Sequence, residues 1–262
     1  MLIDEKDVAS GYVKSDTHNY ITTIEFFHPQ GNSLPGSILE KLAQEIHFHS
    51  HEKSTKVIIL RSAGEKAFCG GASFDELMAI KNEQEGLRFF SGFAHVINAM
   101  RKCPKFIIGR IHGRCVGGGV GLAASVDYAI AAEGAEVKLS ELALGIGPFV
   151  VGPAVERKIG LSAFSQLATD AAMWRNADWA RRKGLFAELH ADKEGMDESI
   201  ARLSNSLSHY SPEAMSELKN VYWQGTEHWD TLLQQRAAIS GRLVLSEFTR
   251  DFIRKFKQKQ LA

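Results

Sequence analysis

Cysteine is scarce in this chain: three residues in 262, at Cys69, Cys103 and Cys115. They are far apart, odd in number and form no CxxC pair, which argues against a disulfide framework or a zinc site and for a reducing, cytoplasmic setting. No uninterrupted apolar run reaches the ~18 residues of a membrane-spanning helix. The first ten residues are charged and lack an apolar segment, so no secretory leader is expected. Neither sign of charge is in excess, with 31 Lys+Arg against 31 Asp+Glu. No basic tail or long like-charge block stands out, so neither nucleic acid nor an acidic membrane is an expected partner. Internal repeats and low-complexity segments are missing as well.

What is present reads as an α/β body followed by a helical tail. Tyr20–Phe27, rich in β-branched and aromatic residues, predicts a strand. Gly31–Pro35 is a turn, and Ile38–His51 has apolar residues at helical spacing. Val57–Leu60 and Phe106–Ile108 are short continuous apolar runs, as expected of buried strands. Between them lie a loop over Gly64–Gly71, a Ser73-Phe-Asp-Glu76 capping box that should open a helix, and a helix over Gln84–Arg101. Asp127–Ala132 and Val137–Leu139 read as further strands. This strand–turn–helix order predicts parallel strands joined by helical crossovers. From about Ser162 the strand signals stop. Helices are expected over Ala177–Arg182, Glu198–His209, Pro212–Trp223 and His228–Lys257, the last interrupted at Gly241.

The stretch from Ile111 to Ala124 carries the most information. Gly117-Gly118-Gly119 lies between a strand-like and a helix-like run. Amides that open a helix have no partner within it, so they can hold an anion or a developing oxyanion. Lys66–Ser73 is a second glycine-containing turn, and Ser140-Glu141-Leu142 follows a short strand. Two turns that each aim one free N–H at a common point make an oxyanion hole. A carboxylate among Ala143, Leu144, Ile146, Pro148 and Phe149 has its ionised form disfavoured and suits general acid/base work. Each piece alone has a plainer reading: a tight connection, a solvated glutamate, a helix cap. Only the combination points to chemistry.

Other features carry less. Gly119-x-Gly121-x-x-Ala124 fits a loose dinucleotide fingerprint, but the acidic residue should then end the next strand near Ala132, not stand at Glu141. His47, His49 and His51 read as a surface cluster and not as a metal site. Cys69 reads as a small buried thiol. Trp174, Trp179, Trp223 and Trp229 read as core or interface residues.

Together the three motifs resemble the crotonase (enoyl-CoA hydratase/isomerase) superfamily over about Ile21–Leu189. Glu65-Lys-Ala-Phe-Cys-Gly-Gly-Ala-Ser73 is similar to that family's "KAFxAGAD" loop. His112–Asp127 resembles "NGxxxGGGxELAxxxD", and Leu139–Ile146 resembles "fxxPExxlGi". The resemblance implies an α/β superhelix of ββα units over residues 1–195. It implies a helical C-terminal trimerisation region over 196–262, giving a homotrimer or a dimer of trimers. The ligand it implies is an acyl-CoA thioester, so coenzyme A would enter as part of the substrate, with no separate cofactor and no metal. By motif position the oxyanion donors would be the backbone N–H groups of Ala72 and Gly118. Lys66, Phe68, Gly70 and Gly71 would lie against the CoA moiety, and Glu141 would be the catalytic acid/base.

The departures from that pattern shape the expected reaction. Hydratases of the family place one glutamate at the "GGGxE" position and one at "PE". Here the first position is Gly121 and only the second, Glu141, is kept. A single carboxyl suffices for a Δ3,Δ2-enoyl-CoA isomerase, which moves a proton from C2 to C4. Gly147-Pro148-Phe149 resembles the apolar segment of such isomerases, one residue out of register. Phe149 stands where dienoyl-CoA isomerases and hydroxyisobutyryl-CoA hydrolases carry an Asp. The alternatives are a hydratase of branched or substituted enoyl-CoA, with Glu76 or Glu156 as a second acid/base, and a non-catalytic acyl-CoA-binding member.

Overall fold

The computed structural model describes residues 9–261, with side chains through Lys255. Most of the charged N-terminal segment, and the last residue of the tail, lie outside them. The main sheet has six strands: β1 (Tyr12–His18), β2 (Ile21–Phe27), β4 (Val57–Ser62), β7 (Phe106–Ile111), β9 (Tyr128–Ala132) and β12 (Glu188–His190), side by side in that order. β1 and β2 form an antiparallel hairpin, and every later neighbour pairs parallel. The apolar runs are continuous because both faces are covered. Ile24, Ile58, Leu60 and Ile107 pack with Ile38, Leu42 and Ile46 of α1 (Gly36–His51) and Ile97 and Met100 of α3 (Glu83–Lys102). On the opposite face Val57, Ile108 and Ile130 pack with Met196 and Ile200 of α7 (Lys193–Ser208).

A second, short sheet builds the site. Its order is β11 (Arg175–Asn176), β10 (Glu136–Lys138), β8 (Arg114–Val116), β5 (Ala67–Cys69), the last three parallel. Beside it β3 (Ser33–Leu34) pairs with β6 (Gly71–Ala72). The α/β superhelix expected from the motifs is therefore present, but several local readings need correction. β1 gives no strand signal in the sequence because Lys14–His18 are polar throughout and none of its residues is fully buried. Tyr20 is not in a strand: with Asn19 it forms the hairpin turn at positive φ, 66° and 49°, as a two-residue hairpin loop demands. The Gly64–Gly71 loop contains β5. The strand signals do not end near Ser162, since β11 and β12 follow it; both are very short. Helix α5 (Gly152–Thr169) was hidden by Pro153 and by a kink at Gly160.

Two of the contacts between the C-terminal region and the body rest on single residues. Lys219 of α8 (Pro212–Tyr222) is buried and reaches Asp127 Oδ2 at 2.8 Å and Lys105 O at 2.6 Å. The other oxygen-rich side of this knot is closed by Ile107 N–H, which donates to the same Asp127 oxygen at 2.7 Å. α9 (Trp229–Leu243) crosses α3 at Gly241, where a Cβ on Gly86 would stand 2.6 Å from Gly241 Cα. Gly241 is thus a crossing point and not an interruption. The expected single helix breaks after Leu243, and α10 begins at Glu247.

Candidate active site

Three parallel strands of the short sheet run into the three motifs. β5 leads to Gly70-Gly71-Ala72, β8 to Gly117-Gly118, and β10 to Ser140-Glu141. Parallel neighbours point their C-terminal ends the same way, so the three turns meet at one edge. The contacts are close. A Cβ on Gly71 would lie 3.0 Å from Val116 O and 3.7 Å from Gly118 N. A Cβ on Gly117 would lie 2.8 Å from Glu141 Oε1. Both glycine corners and the carboxyl therefore share one spot.

Gly117 turns the chain at φ 52°, ψ −111°, a conformation that glycine alone adopts without strain. Its carbonyl accepts from Val120 and Gly121, which starts α4 (Gly118–Ser125). The Gly118 amide sits in the first turn with no acceptor among the described residues, as helix geometry requires. Ala72 pairs with Leu34, and the next amide, Ser73 N–H, donates to Leu34 O at 2.9 Å. Ala72 itself lines the cavity.

Glu141 is half-buried as a residue, but its carboxyl tip is not exposed. Oε2 is shut away from solvent with no hydrogen-bond partner among the described residues. Burial pushes its pKa up to about 7, and a hydrogen bond from its own backbone N–H pulls weakly the other way. An orphaned buried carboxylate oxygen is costly to folding and is where proton chemistry is expected.

The carboxyl faces a cavity of about 450 Å³. Gly70, Gly71, Ala72, Gly118 and Glu141 all line it, and the rest of its wall is mainly apolar, including Leu77, Ile146, Phe149 and Val151. Phe89, Phe90 and Phe93 of α3 and Phe252 of α10 also contribute; in the sequence the three phenylalanines of α3 mark only an apolar helix face. Lys66 and Phe68 are not in the wall. Lys66 is exposed and accepts Arg114 N–H through its carbonyl at 3.2 Å, while Phe68 is fully buried edge-on against Phe26. Anything Phe68 offers a ligand is therefore backbone.

Neither candidate for a second carboxylate reaches the cavity. Glu76 Oε2 accepts from Gly36 N–H at 2.8 Å and so caps α1. The capping box is thereby half made: Ser73 Oγ accepts from Glu76 N–H at 3.3 Å, but the glutamate side chain turns elsewhere. Glu156 is exposed and lines a different cavity. At Gly121 a Cβ would lie 2.5 Å from Val151 Cγ1, so the missing glutamate leaves no hole. Glu141 is the only carboxylate in the main cavity wall among the described residues.

His49 is buried and bonded to Ser15 Oγ at 2.9 Å, and His47 and His51 stack edge to face. No group of three His, Cys, Asp or Glu among the described residues is placed to hold a metal. No helix among them is long and apolar enough to cross a membrane.

The sequence profile of the enoyl-CoA hydratase/isomerase family matches residues 16–255. The chain belongs to that family. A Bacillus subtilis protein named "Probable enoyl-CoA hydratase" is 25% identical over 243 residues, covering 92% of this chain and 93% of that one. The short-chain-enoyl-CoA hydratase of Clostridium acetobutylicum is 27% identical over 231 residues, covering 87% of each. The crystal structure of an enoyl-CoA hydratase from Bacillus halodurans superposes with a TM-score of 0.86 at 21% identity, covering 93% of this chain and 99% of that one. That likeness establishes the fold. Membership of the enoyl-CoA hydratase/isomerase family makes this chain an enzyme of acyl-CoA thioesters.

Proposed function

We propose that this family member is a Δ3,Δ2-enoyl-CoA isomerase that moves a double bond with Glu141 as its only proton carrier. The observation that carries the reading is the single carboxylate in the cavity wall among the described residues, with Val151 standing against Gly121. In the reaction the Glu141 carboxylate takes a proton from C2 of a 3-enoyl thioester, the C–H electron pair forms the C2–C3 double bond, and the 3,4 π-pair takes up a proton from Glu141 at C4. Negative charge passes through the thioester oxygen in between. The amides of Ala72 and Gly118 are the donors for that oxygen, a role whose loss costs ~10²-fold or more per donor. Atoms and electrons balance with no co-reactant and no metal, and coenzyme A is part of the substrate. A pKa near 7 lets one carboxyl both accept and return the proton near neutral pH. The apolar wall keeps water from competing for the intermediate.

The hydratase names of the Bacillus and Clostridium relatives favour a second reading, hydration of a substituted 2-enoyl-CoA. In this family it uses a second carboxylate, and none besides Glu141 lines the cavity among the described residues. Separate incubations with 3-enoyl-CoA and 2-enoyl-CoA, with products resolved by chromatography, decide between the two. The isomerase reading expects 2-enoyl-CoA from the first and no 3-hydroxyacyl-CoA from either; steady accumulation of 3-hydroxyacyl-CoA would overturn it. A homotrimer, or a dimer of trimers, assembled through the helical C-terminal region completes the proposal. Cys69, Cys103 and Cys115, all buried and unpaired, suit a reducing cytoplasm.

A further inference from the structure

Behind the main cavity lies a second one of about 310 Å³. Among the described residues the two share Gly147, Pro148 and Phe149 and nothing else. The far chamber is walled mainly by Leu142, Pro153, Phe164 and Ala168, with Glu156 and Arg236 also in its lining. Phe149 is the only large side chain of the shared wall. Its ring lies on Gly147: a Cβ there would stand 2.6 Å from ring Cε2. The backbone beneath is pinned by Phe149 N–H donating to Gly147 O and Gly152 N–H donating to Pro148 O, each at 2.7 Å. Two residues on, Val151 packs against Gly121 in the first turns of α4. The Pro148–Val151 segment therefore lines the same cavity as the glycine corners and Glu141, beside the helix that opens at Gly118.

We infer that Phe149 is the residue that sets acyl length in this enzyme: its ring closes the acyl cavity against a second, mainly apolar chamber. The inference rests on the acyl-CoA reading of the site. Short acyl groups end against the ring, and longer ones are excluded by it. Truncating the ring joins the chambers into one channel.

The test measures binding of saturated butanoyl-, octanoyl- and dodecanoyl-CoA by calorimetry, so that no turnover is needed. In Phe149→Ala the affinity for the long chains relative to the short one should rise at least ~10-fold, as burial of about two further methylenes gives. Adding Ala168→Trp, which fills the far chamber, should cancel that gain, and Ala168→Trp alone should leave the native length preference as it is. Should Phe149→Ala be recovered unfolded, Phe149→Leu carries the test with a smaller shift in the same direction. An unchanged length preference in a folded Phe149 variant overturns the inference, as does a change caused by Ala168→Trp alone. If the native protein binds none of the three esters, it is the acyl-CoA reading of the site that fails.

Discussion

Replacing Glu141 by Met should make the protein more stable, and increasingly so as pH rises. The carboxyl is buried, one oxygen has no partner among the described residues, and its pKa goes from 4.5 to about 7 in the fold. The folded state therefore holds its proton more tightly than the unfolded chain. Below pH 4.5 the group is neutral in both states and costs nothing through ionisation. Between pH 4.5 and 7 the unfolded chain releases the proton and the folded one does not, so stability drains away. Above pH 7 the loss is complete, about 3 kcal/mol for a shift of this size. Methionine matches the length and has no ionisable group. The difference in urea-unfolding free energy between Glu141→Met and the native protein should grow by about 3 kcal/mol between pH 4.5 and pH 8, equivalent to roughly 6–12 °C in melting temperature at the upper end. Buried His112, whose pKa is pushed down to about 4 by burial and then by Arg110 and Lys193, titrates in both proteins and cancels in the difference. A pH-independent difference would mean that the carboxyl is solvated, and the case for a tuned acid/base would collapse.

Other outcomes follow from the same geometry. Glu141→Gln should lower kcat on 3-enoyl-CoA by ~10²–10⁴-fold in a standard absorbance assay. In the native enzyme kcat/KM should climb with pH and level off above an apparent pKa of about 7, because the ionised carboxylate is the base; a profile flat from pH 5.5 to 8.5 would contradict this. Gly121→Glu should not create a hydratase: its Cβ meets Val151 at 2.5 Å, and overpacking of this kind costs about 1–3 kcal/mol, read as a lower urea midpoint with no 3-hydroxyacyl-CoA formed. Lys219→Met leaves Asp127 buried without its cation and should cost about 3–5 kcal/mol, measured by the same unfolding titration.

The sequence made the site far more legible than the fold's periphery. Glycine turns and a glutamate among apolar residues are local statements, and the resemblance supplied their order, so Ala72, Gly118 and Glu141 could be named before their proximity was visible. What brings them together is the short sheet of β5, β8, β10 and β11, whose strands have two or three residues each; of these only β10 is legible in the sequence, as Val137–Leu139, because segments so short carry little periodicity. The phenylalanines of α3 and Phe252 were illegible for another reason: helical spacing shows which face is apolar, not whether it meets core or cavity. Gly241 shows a similar limit. Its signature is that of a helix breaker, yet its purpose is the close approach to Gly86, a contact between residues far apart in the chain. Phe149 looked like part of an apolar segment, and only three dimensions show a chamber on either side of it.

The most direct test of a one-carboxyl proton shift is the fate of the hydrogen itself. A 3-enoyl-CoA bearing deuterium at C2 is turned over in ordinary water, and the product is examined by NMR within the first few turnovers. Because the Glu141 oxygen is shut away from solvent, part of the deuterium should appear at C4 of the same molecule. If every product molecule carries solvent hydrogen at C4 from the earliest time point, the proton has not travelled on a sequestered carboxyl and the account is wrong.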